Sequence, residues 1–371
     1  MIIILKPTLS CNIKCKYCYL SEEIKTSDSF DVEFAKSVLL QVRNVLLHDK
    51  TRKIKILWHG GEPLLWGINN FAGIFSFIEK EYKGYNYKIS VQTNLSLINK
   101  AYIDLFLKYN VNVGFSLDGP KEIHDAQRVA CDGNGTFDSV MEKMELCRKN
   151  GLHLGCIAVG SKNHIGKIPL LYRFMCEHEI GFKFNPVFNE GDAKKNFDNL
   201  GITPDEYAAM SIELFDLWFY DYVHRINNST FVDIASGIIT GKSSHCLYSK
   251  NCQDNILAIA PNGDVVPCGR FCNVSLTKYA YGNLRSESFE SVLQKIKTSE
   301  IYNRYQYIKD SSCSRCEFMS ICNGGCLYDG FAVNGDFKSK TFLCGANKKI
   351  FSHIANKLKE ENFLKHSNHA N

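Results

Sequence analysis

Cys11, Cys15 and Cys18 stand in the run Cys11-Asn12-Ile13-Lys14-Cys15-Lys16-Tyr17-Cys18, a C-x3-C-x2-C spacing with an aromatic residue just before the third cysteine. Three thiolates can hold three corners of a [4Fe–4S] cube and leave the fourth iron open. An open iron can bind and reduce a ligand, whereas a fully ligated cluster mainly passes electrons. The alternative is zinc, which prefers paired C-x2-C units and a fourth ligand close by.

A second cysteine set lies far downstream. Cys252, Gly263 and Cys268 read C-x10-G-x4-C; Cys313, Cys316, Cys322 and Cys326 read C-x2-C-x5-C-x3-C, and Cys344 follows after a gap. With Cys246 this makes eight thiolates, enough for two fully ligated cubes or for a pair of four-cysteine zinc ribbons. Spacing alone does not partition them. Of the 16 cysteines, Cys131, Cys147, Cys156, Cys176 and Cys272 remain. Cys147, Cys156 and Cys176 fall in helix or strand patterns and read as small buried hydrophobes. Cys272 reads as a buried thiol in preference to a reactive one.

The elements that must position these ligands follow from periodicity. Ile2–Leu5, Ile54–Trp58, Lys88–Gln92, Val111–Leu117, Leu152–Val159 and Phe182–Pro186 are short apolar runs bounded by Gly, Pro or Asn, and they read as strands. Between them Val32–Leu47, Asn70–Tyr82, Lys100–Tyr109, Phe137–Asn150, Lys167–Glu179 and Pro204–His224 read as helices, the first with Asp31 as its N-cap. Strand–helix repeats imply a parallel sheet with right-handed crossovers, either open or a partial barrel. In such folds ligands sit beyond the carboxyl ends of the strands. The cysteine loop, Gly60-Gly61-Glu62-Pro63, Gln92-Thr93-Asn94 and Ser116-Leu117-Asp118-Gly119-Pro120 all fall there. After about residue 240 the alternation stops. Asn262-Gly263 reads as a hairpin turn between Ile256–Ala260 and Val265–Val266, Phe289–Ile296 as a short helix, Lys348–Glu360 as a terminal helix and Asn362–Asn371 as a frayed tail.

The chain has 371 residues, 45% hydrophobic and 22% charged, so it is an ordinary globular protein with a sizeable core. A net charge of +5 without a long Lys/Arg block does not imply nucleic acid. Met1-Ile2-Ile3-Ile4-Leu5 is too short for a signal peptide, and no run of about 18 apolar residues exists to span a membrane. So many cysteines without a secretory signal point to thiolate ligands in a reducing cytoplasm and an oxygen-poor setting.

The loop from Pro7 to Tyr19, together with Gly60-Gly61-Glu62-Pro63, resembles the radical S-adenosylmethionine (SAM) superfamily, in which the open iron chelates SAM and one electron cleaves it to a 5′-deoxyadenosyl radical. The resemblance selects a partial (β/α)6 barrel over an open sheet. It implies that Cys11, Cys15 and Cys18 hold the SAM cluster. It further implies that Tyr17, Gly60, Gly61, Glu62, Thr93, Asn94, Ser116, Asp118 and Arg128 surround SAM, with Glu62 accepting from its amino group. Arg128 closes His124-Asp125-Ala126-Gln127-Arg128, which resembles the family's HD-x2-R run; its alternative is a solvated surface charge. Trp58 and His59 flank the glycines and read as packing or hydrogen-bonding residues. The downstream cysteines resemble the SPASM extension. By that resemblance Cys246, Cys252, Cys268 and Cys326 hold a first auxiliary cluster, and Cys313, Cys316, Cys322 and Cys344 a second. That makes three [4Fe–4S] clusters plus SAM. The implied domains are a barrel over 1–225, a connector over 226–245, the SPASM domain over 246–347, and a terminal helix and tail over 348–371.

Length and motif order resemble anaerobic sulfatase-maturating enzymes, which oxidise a Cys or Ser side chain to formylglycine. Their general base is an Asp directly after the third ligand of the first auxiliary cluster. Here that ligand would be Cys268, and Gly269 follows it; Gly269 carries no base, and Arg270 cannot act as one. The catalytic base is therefore unassigned. The expected function is a SPASM maturase that oxidatively crosslinks a ribosomally made peptide through a C–C or thioether bond. Formylglycine formation is the first alternative, and a non-catalytic Fe–S electron-transfer protein the second. The expected partners are a precursor peptide or protein and a reductant such as flavodoxin or ferredoxin. The chain starts at its first strand, so a leader would bind the barrel, the C-terminal region or a separate protein.

Overall fold

Six parallel strands form the frame: β1 (Ile2–Leu5), β3 (Ile54–Trp58), β4 (Tyr87–Thr93), β5 (Asn112–Ser116), β7 (Leu154–Gly160) and β8 (Phe182–Pro186). Each is followed by one or more helices. The computed structural model describes residues 1–20, 29–46, 51–224, 226–243, 245–272 and 278–364. Helices cover the sheet, so Ile3, Leu5, Ile56, Val91, Phe115 and Ala158 are buried, which is why the strands read as apolar runs. Trp58 at the end of β3 stacks on Trp66 with ring centroids 5.2 Å apart and meets Phe71 edge-on at 5.6 Å. The partial (β/α)6 barrel expected from the sequence is the fold. No helix among the described residues is long and apolar enough to cross a membrane.

The expected helices are present with shifted ends: Val32–Leu46, Ile68–Glu81, Lys100–Lys108, Phe137–Lys149, Ile168–Glu177 and Pro204–Phe219. Asp31 caps the first, its Oδ1 accepting from the Phe34 N–H at 2.6 Å; Leu47 lies outside the described residues. The last stops five residues short of His224 because the Asp221 Oδ1 takes the N–H groups of Val223 and His224, both at 2.9 Å. An Asx-type bond offers the backbone an alternative to the next helical turn.

Some elements escaped the reading. Helices span Lys121–Gln127, Ala193–Leu200 and Ser229–Thr240, the last inside the stretch read as a connector. Strands β2 (Ile13–Cys15) and β6 (Arg128–Ala130) pair antiparallel, with Cys15 opposite Arg128. Each has three residues and its partner is over 100 positions away, so no local period marks it. β9 (Ile256–Ile259) and β10 (Asp264–Val266) form the expected hairpin, and Gly263 takes a φ of 96° that suits glycine. Beyond them β11 (Gly282–Asn283) forms the sheet edge. β9 also pairs in parallel with β1, Ile2 beside Ile256. The cysteine-rich region is thus hydrogen-bonded into the barrel sheet. The terminal helix starts at Cys344, four residues before Lys348, and runs to Glu360. It packs on Pro204–Phe219, where His353 Nε2 and Asp216 Oδ1 are 2.6 Å apart. Residues 365–371 of the expected tail lie outside the described residues.

Candidate active site

The cysteine loop leaves β1 and is pinned on three sides. β2 ties it to β6, Lys16 N–H donates to the Gln127 carbonyl at 2.9 Å, and the Cys18 carbonyl accepts from Ala193 N–H at 3.2 Å. Asn94 Nδ2 lies 3.8 Å from Cys11 Sγ and donates to Asn12 Oδ1 at 2.9 Å. All three cysteines line one cavity of about 270 Å³ at the carboxyl ends of the strands. Among the described residues, none of the cysteines read as cluster ligands joins a trio of ligand atoms within 4.8 Å of one another. Sulfurs on a single zinc ion lie about 3.8 Å apart, the edge of a tetrahedron with 2.3 Å bonds. The wider spacing suits a cube, which spreads its thiolates over separate irons.

Tyr17, Gly60, Gly61, Thr93, Asn94, Ser116 and Arg128 line the same cavity. The two glycines are required by the cluster loop as well as by a ligand. A Cβ on Gly60 would stand 2.2 Å from the Thr8 carbonyl oxygen, and one on Gly61 would stand 2.2 Å from that of Ser10. Glu62 is not among the residues that line this cavity. It is fully buried and caps the turn Pro63–Trp66, accepting from Leu64 N–H at 3.0 Å, Thr93 Oγ1 at 2.7 Å and Asn94 N–H at 2.7 Å. Burial, opposed by these bonds, raises its pKa. It joins the loop after β3 to the end of β4.

Asp118 is likewise internal. Its carboxylate accepts from Tyr17 Oη at 2.7 Å, Gln127 Nε2 at 2.9 Å and Val159 N–H at 2.9 Å. Arg128 is buried, which removes the surface-charge alternative. It donates to Tyr17 Oη, lies 4.0 Å from Asp118 Oδ2 and sits 5.6 Å over the Tyr17 ring. Burial alone would lower its pKa; Cys15, Tyr17 and Asp118 outweigh it and keep the cation charged. His59 also lines the cavity, its pKa pushed to about 4 by burial and by Lys6, so it is neutral.

The downstream cysteines gather in two groups. Cys313, Cys316, Cys322 and Cys344 line one cavity of about 100 Å³, with Phe318 and Phe351 in its wall. Burial pushes the Cys322 thiol up to about 11, and Cys344, Cys313 and Cys316 add to it. Cys246 and Cys252 both stand close to Cys268; burial, then those neighbours, raises Cys252 to about 12. Cys326 is also close to Cys268. Arg270 Nη1 is 3.9 Å from Cys326 Sγ.

Several wall residues were not singled out from sequence as site residues. Asn185 lies near the end of β8 and Phe188 just beyond it, and a polar residue before Pro186 at a strand end was the available signal. Arg270 was set aside as unable to be a base. It enters the cavity wall between Phe188 and Tyr328, its Cζ 3.7 Å and 4.0 Å from the two ring centroids, and pairs with buried Asp329 at 2.6 Å. Its Nη2 is buried without a hydrogen-bond partner. Lys6 is fully buried, donating to the Gly269 carbonyl at 2.6 Å and to Tyr19 Oη at 3.0 Å. Cys272 is buried beside Lys6, while Cys131 is exposed, with its Sγ 3.4 Å from the Asn12 carbonyl.

A parallel (β/α)6 frame, a three-cysteine loop at its mouth and a cysteine-rich extension define a radical SAM enzyme with a C-terminal SPASM domain. The radical SAM superfamily model matches residues 5–174, and the SPASM iron-sulfur cluster-binding domain model matches residues 246–317. The chain thus carries a radical SAM domain followed by a SPASM domain, and its cofactors are [4Fe–4S] clusters and SAM. It is 27% identical over 365 residues to a cysteine-type anaerobic sulfatase-maturating enzyme of Clostridium perfringens, covering 95% of each chain. It is 23% identical to a serine-type enzyme of Bacteroides thetaiotaomicron, covering 93% of this chain and 87% of that one. The solved structure of anSMEcpe with bound AdoMet and Cp18Cys peptide superimposes with a TM-score of 0.84 at 25% identity, covering 98% and 99% of the two chains. SuiB of Streptococcus suis bound to its precursor peptide SuiA gives 0.64 at 18% identity, over 92% and 75%, a likeness of fold.

Proposed function

We propose that this enzyme is a maturase that oxidatively crosslinks a ribosomally made peptide, with Cys11, Cys15 and Cys18 holding the SAM cluster. Cys246, Cys252, Cys268 and Cys326 would hold one auxiliary cluster, and Cys313, Cys316, Cys322 and Cys344 the other, three cubes in all. The gathering of each set supports the partition. Loaded with clusters and SAM, such a site supplies a 5′-deoxyadenosyl radical that takes hydrogen from an unactivated carbon. The chain's own residues orient the reactants. Asn94 donates toward Cys11, Asp118 holds Tyr17 and, through it, Arg128, and the glycines bring backbone against the cysteine loop. Arg270 presents its cation in the cavity wall, where it can pair with a carbonyl or carboxylate of the bound peptide. A small electron-transfer protein such as a flavodoxin or ferredoxin would supply the electron. We place the barrel in 1–225 and the auxiliary clusters in 246–347.

The observation that carries the crosslinking reading is Gly269. It follows Cys268 and has no side chain to take a proton, while the neighbouring Asp329 is engaged by Arg270. Formylglycine formation is the second reading, favoured by the full-length match to sulfatase-maturating enzymes. Mass spectrometry after anaerobic incubation with SAM and reductant separates the two. A loss of about 2 Da with a new crosslink, the mass of two hydrogens, supports the first. A hydrazine-trapped aldehyde on a sulfatase-type peptide, with no change in the cognate peptide, supports the second.

A further inference from the structure

On the outer helix layer, away from the cluster cysteines, three different donors meet. Cys176 ends the helix Ile168–Glu177, and Asp221 and His224 stand in the turn that ends Pro204–Phe219. One ligand atom from each lies within 4.8 Å of the other two. His224 Nδ1 is 2.8 Å from Asp221 Oδ2, and Cys176 Sγ is 3.7 Å from the same oxygen. We propose that Cys176, Asp221 and His224 form a site for a borderline divalent transition metal, with Zn2+ the ion that fits the donor set.

The site is built around the carboxylate. Asp221 Oδ1 accepts from the N–H groups of Val223 and His224, and Oδ2 accepts from Tyr172 Oη at 2.8 Å. These bonds outweigh burial and hold the carboxyl well below its usual range, so it is charged. Sulfur, nitrogen and oxygen donors on three positions are a set zinc takes with a fourth place left for water. The thiolate rules against calcium or magnesium, which prefer oxygen. An adjoining cavity of about 480 Å³, walled by Glu213, Asp216 and Tyr220, gives the ion and its water access. A carboxylate only accepts, so His224 Nδ1 carries its proton in this state. Binding moves that proton to Nε2 and releases the Cys176 thiol proton. One proton leaves for each Zn2+ bound, with no change of oxidation state. Tyr172 keeps donating to Oδ2 and fixes the carboxylate, the outer support that metal ligands need.

The test uses holoenzyme with its iron–sulfur clusters in place, incubated anaerobically with Zn2+ and desalted. Wild type should retain about one zinc per chain with unchanged iron, and zinc-edge X-ray absorption should show one sulfur at about 2.3 Å with nitrogen and oxygen at about 2.0–2.1 Å. His224→Ala should lose the zinc and keep the iron; its side chain is 50% exposed, so the fold is spared. Tyr172→Phe should weaken zinc about tenfold or more. Wild type holding no more zinc than His224→Ala, or zinc surrounded only by sulfur, would overturn the site, because the second result means capture by cluster cysteines.

Discussion

Replacing Gly269 by Asp tests what keeps this scaffold from formylglycine chemistry. An ideal Cβ there would meet Lys6 Cε at 3.5 Å and Ile4 Cδ1 at 3.6 Å, ordinary van der Waals contacts, and Gly269 is not among the residues of positive φ. A Cβ is therefore accommodated there without backbone strain. Its carboxylate would stand beside the Lys6 ammonium, which already reaches the Gly269 carbonyl at 2.6 Å. Opposite charges about 4 Å apart at an effective dielectric of about 20 attract by about 4 kcal/mol, a gross figure that desolvation offsets in part. Such a neighbour lowers a carboxyl pKa by about 1–3 units, so the new Asp is ionised at neutral pH and can accept a proton. A positioned base contributes about 10²–10⁴-fold. The assay is aldehyde formation on a cysteine-type sulfatase peptide, followed by mass spectrometry, with 5′-deoxyadenosine measured in parallel. Gly269→Asp should raise aldehyde by about 10²-fold or more over wild type at similar SAM cleavage. Equal aldehyde from both proteins would refute the reasoning, as would a variant that cleaves SAM and yields none.

Replacing Cys11, Cys15 and Cys18 together by Ala should reduce iron from about 12 to about 8 per chain and abolish 5′-deoxyadenosine, by the rule of one cube per ligand set; iron analysis and chromatography read both. Asp118→Asn leaves donors from Tyr17, Gln127 and Val159 facing an amide, so it should cost about 1–3 kcal/mol in thermal unfolding and weaken SAM binding; unchanged melting and affinity would count against the positioning role. His124 is fully buried, with its Nδ1 3.3 Å from Asp118 N–H, and burial pushes its pKa to about 4. The folded value lies below the unfolded one of 6.5, so only the unfolded chain takes the proton between them. The contribution is complete above pH 6.5 and about 3 kcal/mol is lost as pH falls to about 4. His124→Asn should flatten the pH dependence of melting in that window.

Local patterns were enough for the frame. A buried parallel strand is an apolar run, and an amphipathic helix repeats every 3.6 residues, so both are written in consecutive residues. The first cysteine set was legible for the same reason: Cys11, Cys15 and Cys18 occupy one loop, and the loop alone brings them to one cavity. Asn262-Gly263 marked its hairpin because the turn needs a positive φ at Gly263. What remained belongs to long-range packing. Which way a polar side chain turns at a strand end depends on partners elsewhere. Glu62 faces Thr93 and Asn94, and Asp118 faces Tyr17, Gln127 and Val159, so both brace the cavity from behind. β9 lies beside β1 although over 250 residues separate Ile2 from Ile256, and no period of either strand encodes the pairing. Arg270 became a wall of the site only when Phe188, Tyr328 and Asp329 closed around it. Cys176 met Asp221 across 45 residues because two helices pack side by side. Composition and periodicity specify elements; the partners of buried polar groups are set by tertiary contact, since a donor or acceptor removed from water must find its match wherever the fold supplies one.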